Sequence, residues 1–471
     1  MQEWHKISLI LCGFGFLRDI RPSEPFVTEY ILGPWRNVTE QELNQDVYPV
    51  STYGYLAQLI LVFLITDFLR YKPLIILMGC CGIIIWSLLL WTTSILALQI
   101  LEFFYGTYMA TEVAYYTYMY AKVDKANYIK VTSYTRVAML IGKLIASISG
   151  QALIYFSLMD YRDLNYITLA AQILATAWAF FLPGSKTSLY FHRKRETGSM
   201  EDGLNEDQNA VGTTDNIKGA FQLLWLHFRN AYTNSMVLQW SLWYIVNLCG
   251  YLQVVNYIQV LWKVIDSSPL VVWNGAVDAI LTLLGAGLSL AAGYIFTGKT
   301  NVRASLLTLA ILTIIEGLCL LLTSQTTVLY WSYAGYICFG ALFTFTVTVS
   351  SSEVSRHLQE ESYGLVFGFN TFIALIMQTI LTVIVVSKDG FALGVIAQFT
   401  VYTFYFLVVG ICKLVEERGL WGAIPHGVHQ YQNIAVPQTG DLPRKSQRYQ
   451  GERLNKYIIT VSRNPLWRIM L

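Results

Sequence analysis

Residues 184–230 read GSKTSLYFHRKRETGSMEDGLNEDQNAVGTTDNIKGAFQLLWLHFRN. This is the one long polar interruption inside a chain otherwise built from apolar blocks, and it includes the cluster His192-Arg193-Lys194-Arg195. Six apolar blocks precede it and six follow: 7–32, 51–70, 73–92, 95–121, 130–157, 163–182, then 232–262, 270–297, 302–323, 328–350, 363–387 and 391–413. Each is close to the length of about 20 residues that crosses a hydrocarbon core of about 30 Å. The pattern predicts about twelve membrane helices, in a half over 1–183 and a half over 231–413. A linker over 184–230 joins them, and a tail over 414–471 reads as disordered.

Composition points the same way. Of 471 residues, 55% are hydrophobic and 13% charged, with a mean hydropathy of +0.46. A soluble domain carries about 25% charged residues. Too little polar surface remains to coat a globule in water, so the chain reads as an all-α polytopic membrane protein in contact with a lipid bilayer. Disordered, collagenous, disulfide-framework and ordinary cytosolic classes are excluded. The net charge of +2 implies no nucleic acid partner. Seven cysteines show no CxxC or Cys/His spacing and read as small apolar packing residues. The first apolar block lacks a small-residue cleavage site and runs into Arg18, Asp19 and Arg21, so it reads as a retained span.

Orientation follows from the basic residues. Loops on one side carry Arg70, Lys72, Lys122, Lys125, Lys130, Lys186, Arg193, Lys194, Arg195, Lys299, Arg303 and Arg356; the other side carries Arg36, Arg162, Lys263 and Lys388. Both termini are expected in the cytoplasm. The 33–50 loop is then outside, in agreement with the glycosylation sequon Asn37-Val38-Thr39.

Ionisable groups within spans mark candidate sites, because each costs about 3 kcal/mol or more in the bilayer interior. Span one holds Arg21-Pro22-Ser23-Glu24-Pro25. Pro22 and Pro25 break the helix, and Arg21 and Glu24 can pair at a three-residue spacing. In span four, Tyr105, Tyr108, Glu112, Tyr115, Tyr116 and Met119 recur at three- and four-residue steps along one face. A carboxylate among π faces suits an organic cation, with about 0.5–2 kcal/mol of cation–π attraction per ring. Span five offers a competitor: Arg136 can snorkel to the interface, whereas Lys143 reaches the depth of Glu112. It can neutralise that acid or hold an anionic group.

In the second half, Gln253, Asn256, Tyr257 and Gln259 share a segment whose amides need a helix or a ligand as partner. Asn274, Asn370 and Gln378 are further candidates. Asp278, Glu316 and Glu353 read as helix–helix or boundary groups. No GxSxG, HExxH or Walker A pattern is present, and His426 and His429 lie in the polar tail. The chain is expected to be no enzyme, with no cofactor and no metal.

Two six-helix halves with a basic linker resemble the major facilitator fold, in which halves rock about a midplane substrate site. Asp67-Phe-Leu-Arg70-Tyr-Lys72 resembles that superfamily's acidic-then-basic loop. More specifically, the chain resembles the reduced-folate and thiamine carrier family, solute carrier family 19. The matching stretches are Arg21-Pro-Ser-Glu-Pro-Phe26, Asp67-Phe-Leu-Arg-Tyr-Lys-Pro73, Glu102-Phe-Phe-Tyr-Gly106 and Glu112-Val-Ala-Tyr-Tyr116. They continue through Trp240-Ser-Leu-Trp243, Val255-Asn-Tyr-Ile-Gln-Val-Leu-Trp262, Asn274-Gly-Ala276 and Leu365-Val-Phe-Gly-Phe-Asn-Thr-Phe372.

The resemblance implies a monomeric plasma-membrane carrier of a vitamin. Ser-Glu-Pro in the first motif, the acid at Glu112 and Gln378 follow the thiamine pattern; folate carriers place basic residues at the last two positions. Thiamine is a cation and favours a carboxylate, whereas folates are dianions and favour Arg or Lys. By resemblance, Glu24, Glu112, Tyr115, Asn256 and Tyr48 are substrate contacts, and the expectation extends to Tyr116 and Gln259. Ser51 and Lys143 depart from the thiamine pattern, and Gly340 departs from the folate one. A reduced folate or organic-anion carrier using Lys143 is the alternative, and a non-transporting sensor is a further one.

Overall fold

The computed structural model describes residues 3–123, 127–184, 213–267, 271–295, 302–358 and 362–417, all within one compact unit over Met1–Leu420. The basic cluster 192–195, His426, His429, the tail beyond 417 and the side chain of Asp67 lie outside the described residues. No strand occurs among the described residues.

Helix α1 (Glu3–Arg18) stops short of the expected first span, and a 3-10 turn (Glu24–Phe26) and α2 (Val27–Ile31) complete that crossing. A short α3 (Glu40–Glu42) passes through a π turn (Leu43–Val47) into α4 (Tyr48–Phe68). Then come α5 (Lys72–Trp91), α6 (Ile95–Lys122), α7 (Tyr128–Tyr155) and α8 (Tyr161–Ala179). After the connection come α9 (Thr213–Thr233), α10 (Ser235–Ile265), α11 (Asn274–Ile295), α12 (Val302–Gln325), α13 (Leu329–Arg356), α14 (Tyr363–Val385) and α15 (Val395–Glu417).

Among the described residues, eight of these helices are long and apolar enough to cross a membrane on their own composition: α5, α7 and α10 to α15. Helix α6 is more polar, since it carries Glu102, Glu112 and six tyrosines. Outward-facing Leu61, Phe103, Ile148, Leu290, Leu318 and Phe404 are each at least 49% exposed. Such a surface matches lipid rather than water.

One group of helices packs α4 on α6, α5 on α6 and α8, and α1 on α7 and α8. A second packs α12 on α13 and α15, α10 on α13 to α15, and α11 on α13. The groups meet where α7 lies along α11 and where α4 lies along α14.

Irregular backbone inside a membrane needs partners for its polar groups, and side chains of other helices meet five of those at the break in the first crossing. Prolines 22 and 25 cannot donate, and the groups they free find side chains from other helices. Gln259 Nε2 donates to the Glu24 carbonyl (3.0 Å), and its Oε1 accepts from the Thr28 N–H (3.2 Å). Asn274 donates to the Pro25 carbonyl (3.0 Å), Thr168 accepts from the Ser23 N–H (3.3 Å), and Gln172 donates to the Arg18 carbonyl (2.9 Å).

The last part of the linker over 184–230 is helical, as the start of α9. In α9 the apolar residues fall mostly on one face, and Phe228 and Tyr232 pack on Phe369 with ring centroids 4.8 and 5.3 Å apart. The amphipathic period there is masked by the polar residues that precede it.

Small residues set a close contact between α4 and α6. A Cβ on Gly106 would stand 2.6 Å from the Tyr55 backbone nitrogen and 2.9 Å from the Gly54 carbonyl carbon. Backbone cannot yield as a flexible side chain does. Gly106→Ala is therefore expected to lower stability by about 1–3 kcal/mol, read as a drop in the thermal midpoint of the purified protein; an unchanged midpoint would contradict this contact.

Candidate functional site

The unwound segment after α1 gathers charges that neighbouring helices answer. Arg18 is 5% exposed and donates from Nη2 to Glu112 Oε1 at 2.9 Å, with its Nε 3.2 Å from Asp19 Oδ1. Arg21 pairs with Glu24 at 2.9 Å and lies 3.5 Å from Asp19. The Tyr116 hydroxyl donates to Glu112 (3.3 Å) and the Tyr105 hydroxyl to Glu24 (3.4 Å). The ring of Tyr108 lies 5.6 Å from the Arg18 guanidinium carbon and 5.9 Å from that of Arg21. Two guanidiniums thus face three carboxylates, which leaves one negative charge in surplus.

This arrangement corrects the sequence reading of Glu112. That reading left the acid unpaired or paired with Lys143, but its partner is Arg18, from the first crossing. Lys143 turns to the other half: its Nζ lies 2.9 Å from Asp278 Oδ1, while the Ser147 hydroxyl donates to Oδ2 at 2.7 Å. Gly275 permits this close approach of α7 and α11, because a Cβ there would meet the Ser147 carbonyl at 2.9 Å.

Glu102 is the acid that the stripe on α6 should have revealed. It lies three residues before Tyr105, so the same spacing carried one step back reaches it. It is 8% exposed, the nearby Ser51 hydroxyl donates to the Tyr48 carbonyl (2.8 Å), and among the described residues no basic group pairs with it. The phenols of Tyr48, Tyr105 and Tyr257 lie within its field.

The other expected residues are placed as follows. The Tyr48 hydroxyl shares a hydrogen bond with Thr28 (2.7 Å), and its ring meets Tyr257 edge-on at 6.2 Å. Asn256 is partly exposed and donates to Thr52 at 3.2 Å, joining the halves. Tyr115 is buried, and its hydroxyl donates to the Leu11 carbonyl (2.8 Å). Gln259 is occupied by the broken backbone, as described above. Arg136 is exposed on α7. Arg70 takes a left-handed conformation (φ 62°) in the tight α4–α5 turn. Gln253 bonds Tyr402 and Thr382, Asn370 bonds Ser241 and Tyr232, and Glu353 pairs with Arg356 at 2.7 Å.

Further polar contacts between the halves lie toward the face that carries α3. Lys263 pairs with Glu29 and Lys388 with Asp46, each at 2.7 Å, and Gln151 bonds both Val272 and Ala276.

Residues 2–401 match the family model of the reduced folate carrier. Thiamine transporter 1 of Homo sapiens is 37% identical, over 88% of this chain and 89% of its own. Thiamine transporter 2 of Homo sapiens is 36% identical, over 94% and 95%. The reduced folate transporter of Homo sapiens is 35% identical, over 87% and 72%. Among solved structures, the POT family transporter PepTSo superposes with a TM-score of 0.61 at 12% identity, covering 89% of this chain and 99% of that one. The nucleoside transporter NupG gives 0.57 at 14%, covering 88% and 99%. These likenesses show the fold, which is the major facilitator fold expected from the six-and-six pattern.

Proposed function

We propose, since this chain belongs to the reduced folate carrier family, that it carries thiamine across the plasma membrane by alternating access. It is a vitamin transporter by family, not an enzyme. The observation that carries the thiamine reading is the charge of the central site: three carboxylates against two guanidiniums, with Glu102 unpaired beside them. A cation gains from that surplus and a dianion is repelled. The folate alternative relies on Lys143, whose charge Asp278 already meets.

Glu102 would hold the cation, with Tyr48 and Tyr105 presenting rings and Ser51, Asn256 and Thr52 presenting polar groups. Glu24, whose side chain is 33% exposed, and Tyr116 complete the lining. Glu112, Arg18 and Tyr115 frame it, as do Gln259 and the Lys143–Asp278 pair. We read the two helix groups as the rocking halves. The Glu29–Lys263 and Asp46–Lys388 pairs latch the face of α3, so the state described is closed on that side. One chain encloses the whole site, which supports a working monomer.

Uptake of labelled thiamine and of a reduced folate, measured in parallel in cells expressing the chain, tests the reading. Time-dependent accumulation of thiamine is expected; accumulation of folate alone would overturn it.

With both termini in the cytoplasm, the face of α3 is extracellular. Asn37 is exposed there, next to the capped turn in which Thr39 accepts from the Glu42 N–H (3.3 Å). The expressed protein should lose apparent mass on glycosidase treatment, and Asn37→Gln should abolish that shift. A shift that persists in the variant would contradict the placement.

A further inference from the structure

The turn between α4 and α5 is short and strained. The Lys72 N–H donates to the Arg70 carbonyl at 2.9 Å across Tyr71, whose φ of 71° and ψ of −54° are those of the rare, strained form of γ-turn. Arg70 is also left-handed, at φ 62°, and glycine occupies neither position. Burial of Tyr71, which is 1% exposed, holds the turn in place. Two cations therefore flank one anchored ring.

Both cations line a cavity of about 440 Å³, and Leu69, Pro73, Ile76 and Gly184 complete its lining. Lys72 Nζ donates to the Phe180 carbonyl (2.9 Å) just past the end of α8, which uses one of its three N–H groups. Arg70 is exposed, and among the described residues no carboxylate pairs with it. Leu69 is 43% exposed, and Phe180 and Phe181, beside the Lys72 contact, are 61% and 69% exposed.

A cavity with cations and apolar walls together matches an amphipathic ligand. A free anion would meet the guanidinium and the ammonium but leave Leu69, Pro73 and Ile76 in water; a hydrocarbon would leave the cations unanswered. The volume falls within the range of about 300–1,000 Å³ of small-molecule sites. It has room for a phosphate, its glycerol and the start of one acyl chain, with the rest of the lipid in the bilayer. The N-terminal end of α5 adds positive potential at the same place. In the orientation proposed above, this face meets the cytoplasmic leaflet, where anionic lipids give a negative surface.

We propose that the cavity at the α4–α5 turn binds an anionic phospholipid, separate from the central site. The phosphate sits on Arg70 and Lys72, and the acyl chain runs along Leu69, Pro73 and Ile76. Because Lys72 also holds the end of α8, the bound lipid braces the turn against that helix.

The test is thermal unfolding of the purified full chain in neutral detergent micelles, titrated with phosphatidylserine or with phosphatidylcholine. The wild-type midpoint should rise with phosphatidylserine and saturate, and rise less with phosphatidylcholine. Arg70→Gln should need about fivefold more phosphatidylserine for the same rise. Leu69→Gln, which leaves the charge unaltered, should also weaken the response, while Arg162→Gln at the other end of α8 should keep it. Equal responses of the wild type to the two lipids overturn the proposal, as does an Arg70→Gln variant that responds as the wild type does. A response unchanged in Leu69→Gln, or weakened as much in Arg162→Gln as in Arg70→Gln, would mean diffuse charge attraction and no built site. An equal rise with glycerol phosphate would mean a small-anion site, which also contradicts the proposal.

Discussion

In Glu102→Gln, thiamine uptake at low substrate falls by about 30-fold while the amount of protein at the cell surface is unchanged. The substitution keeps the shape of a buried side chain that has no basic partner but removes its capacity to carry the charge that a bound cation would stabilise. Losing one side of a desolvated charge contact costs about 2 kcal/mol or more, and 1.4 kcal/mol is tenfold. The loss should fall on KM, since the charge acts in the bound ground state. Glu102→Asp, which retains the charge at a shorter reach, should recover part of it. Unaltered uptake in Glu102→Gln would remove Glu102 from the site.

Arg18→Met has the largest expected effect on stability. Asp19 keeps Arg21 at 3.5 Å, but Glu112 loses the guanidinium at 2.9 Å and stays in a low-dielectric interior. Stranding a buried charge costs about 3–5 kcal/mol, against a total of about 5–15 kcal/mol for a folded protein. Yield and thermal midpoint should fall sharply. Arg18→Met/Glu112→Gln, with both partners neutral, should recover much of the loss, a coupling that independent sites do not show. If Arg18→Met were as stable as the wild type, the pair would not be structural.

The spans and the break were legible because both follow from short-range rules. Apolar blocks of membrane length predict helices, and Pro22 with Pro25 predicts unwinding. Pairing was not legible. Glu112 meets Arg18 from 94 residues away, and no periodicity within α6 distinguishes that partner from Lys143. Arg18 was visible as a charge three residues before Arg21 in a membrane-length segment, but it was read as the end of an apolar run. Gln259 and Asn274 looked like ligand amides, since a side chain that satisfies broken backbone has the same sequence signature as one that binds substrate. Asp278 was legible as a helix–helix group because a partner of some kind was required in the span. That partner proved to be Lys143.

The most direct measurement of the central claim is a structure of the full chain with thiamine bound. The account predicts the cationic ligand within about 4 Å of a Glu102 carboxylate oxygen, salt-bridge range, with Arg18 still bonded to Glu112. Thiamine held by Glu112, with Arg18 swung away and Glu102 remote from the ligand, would contradict it.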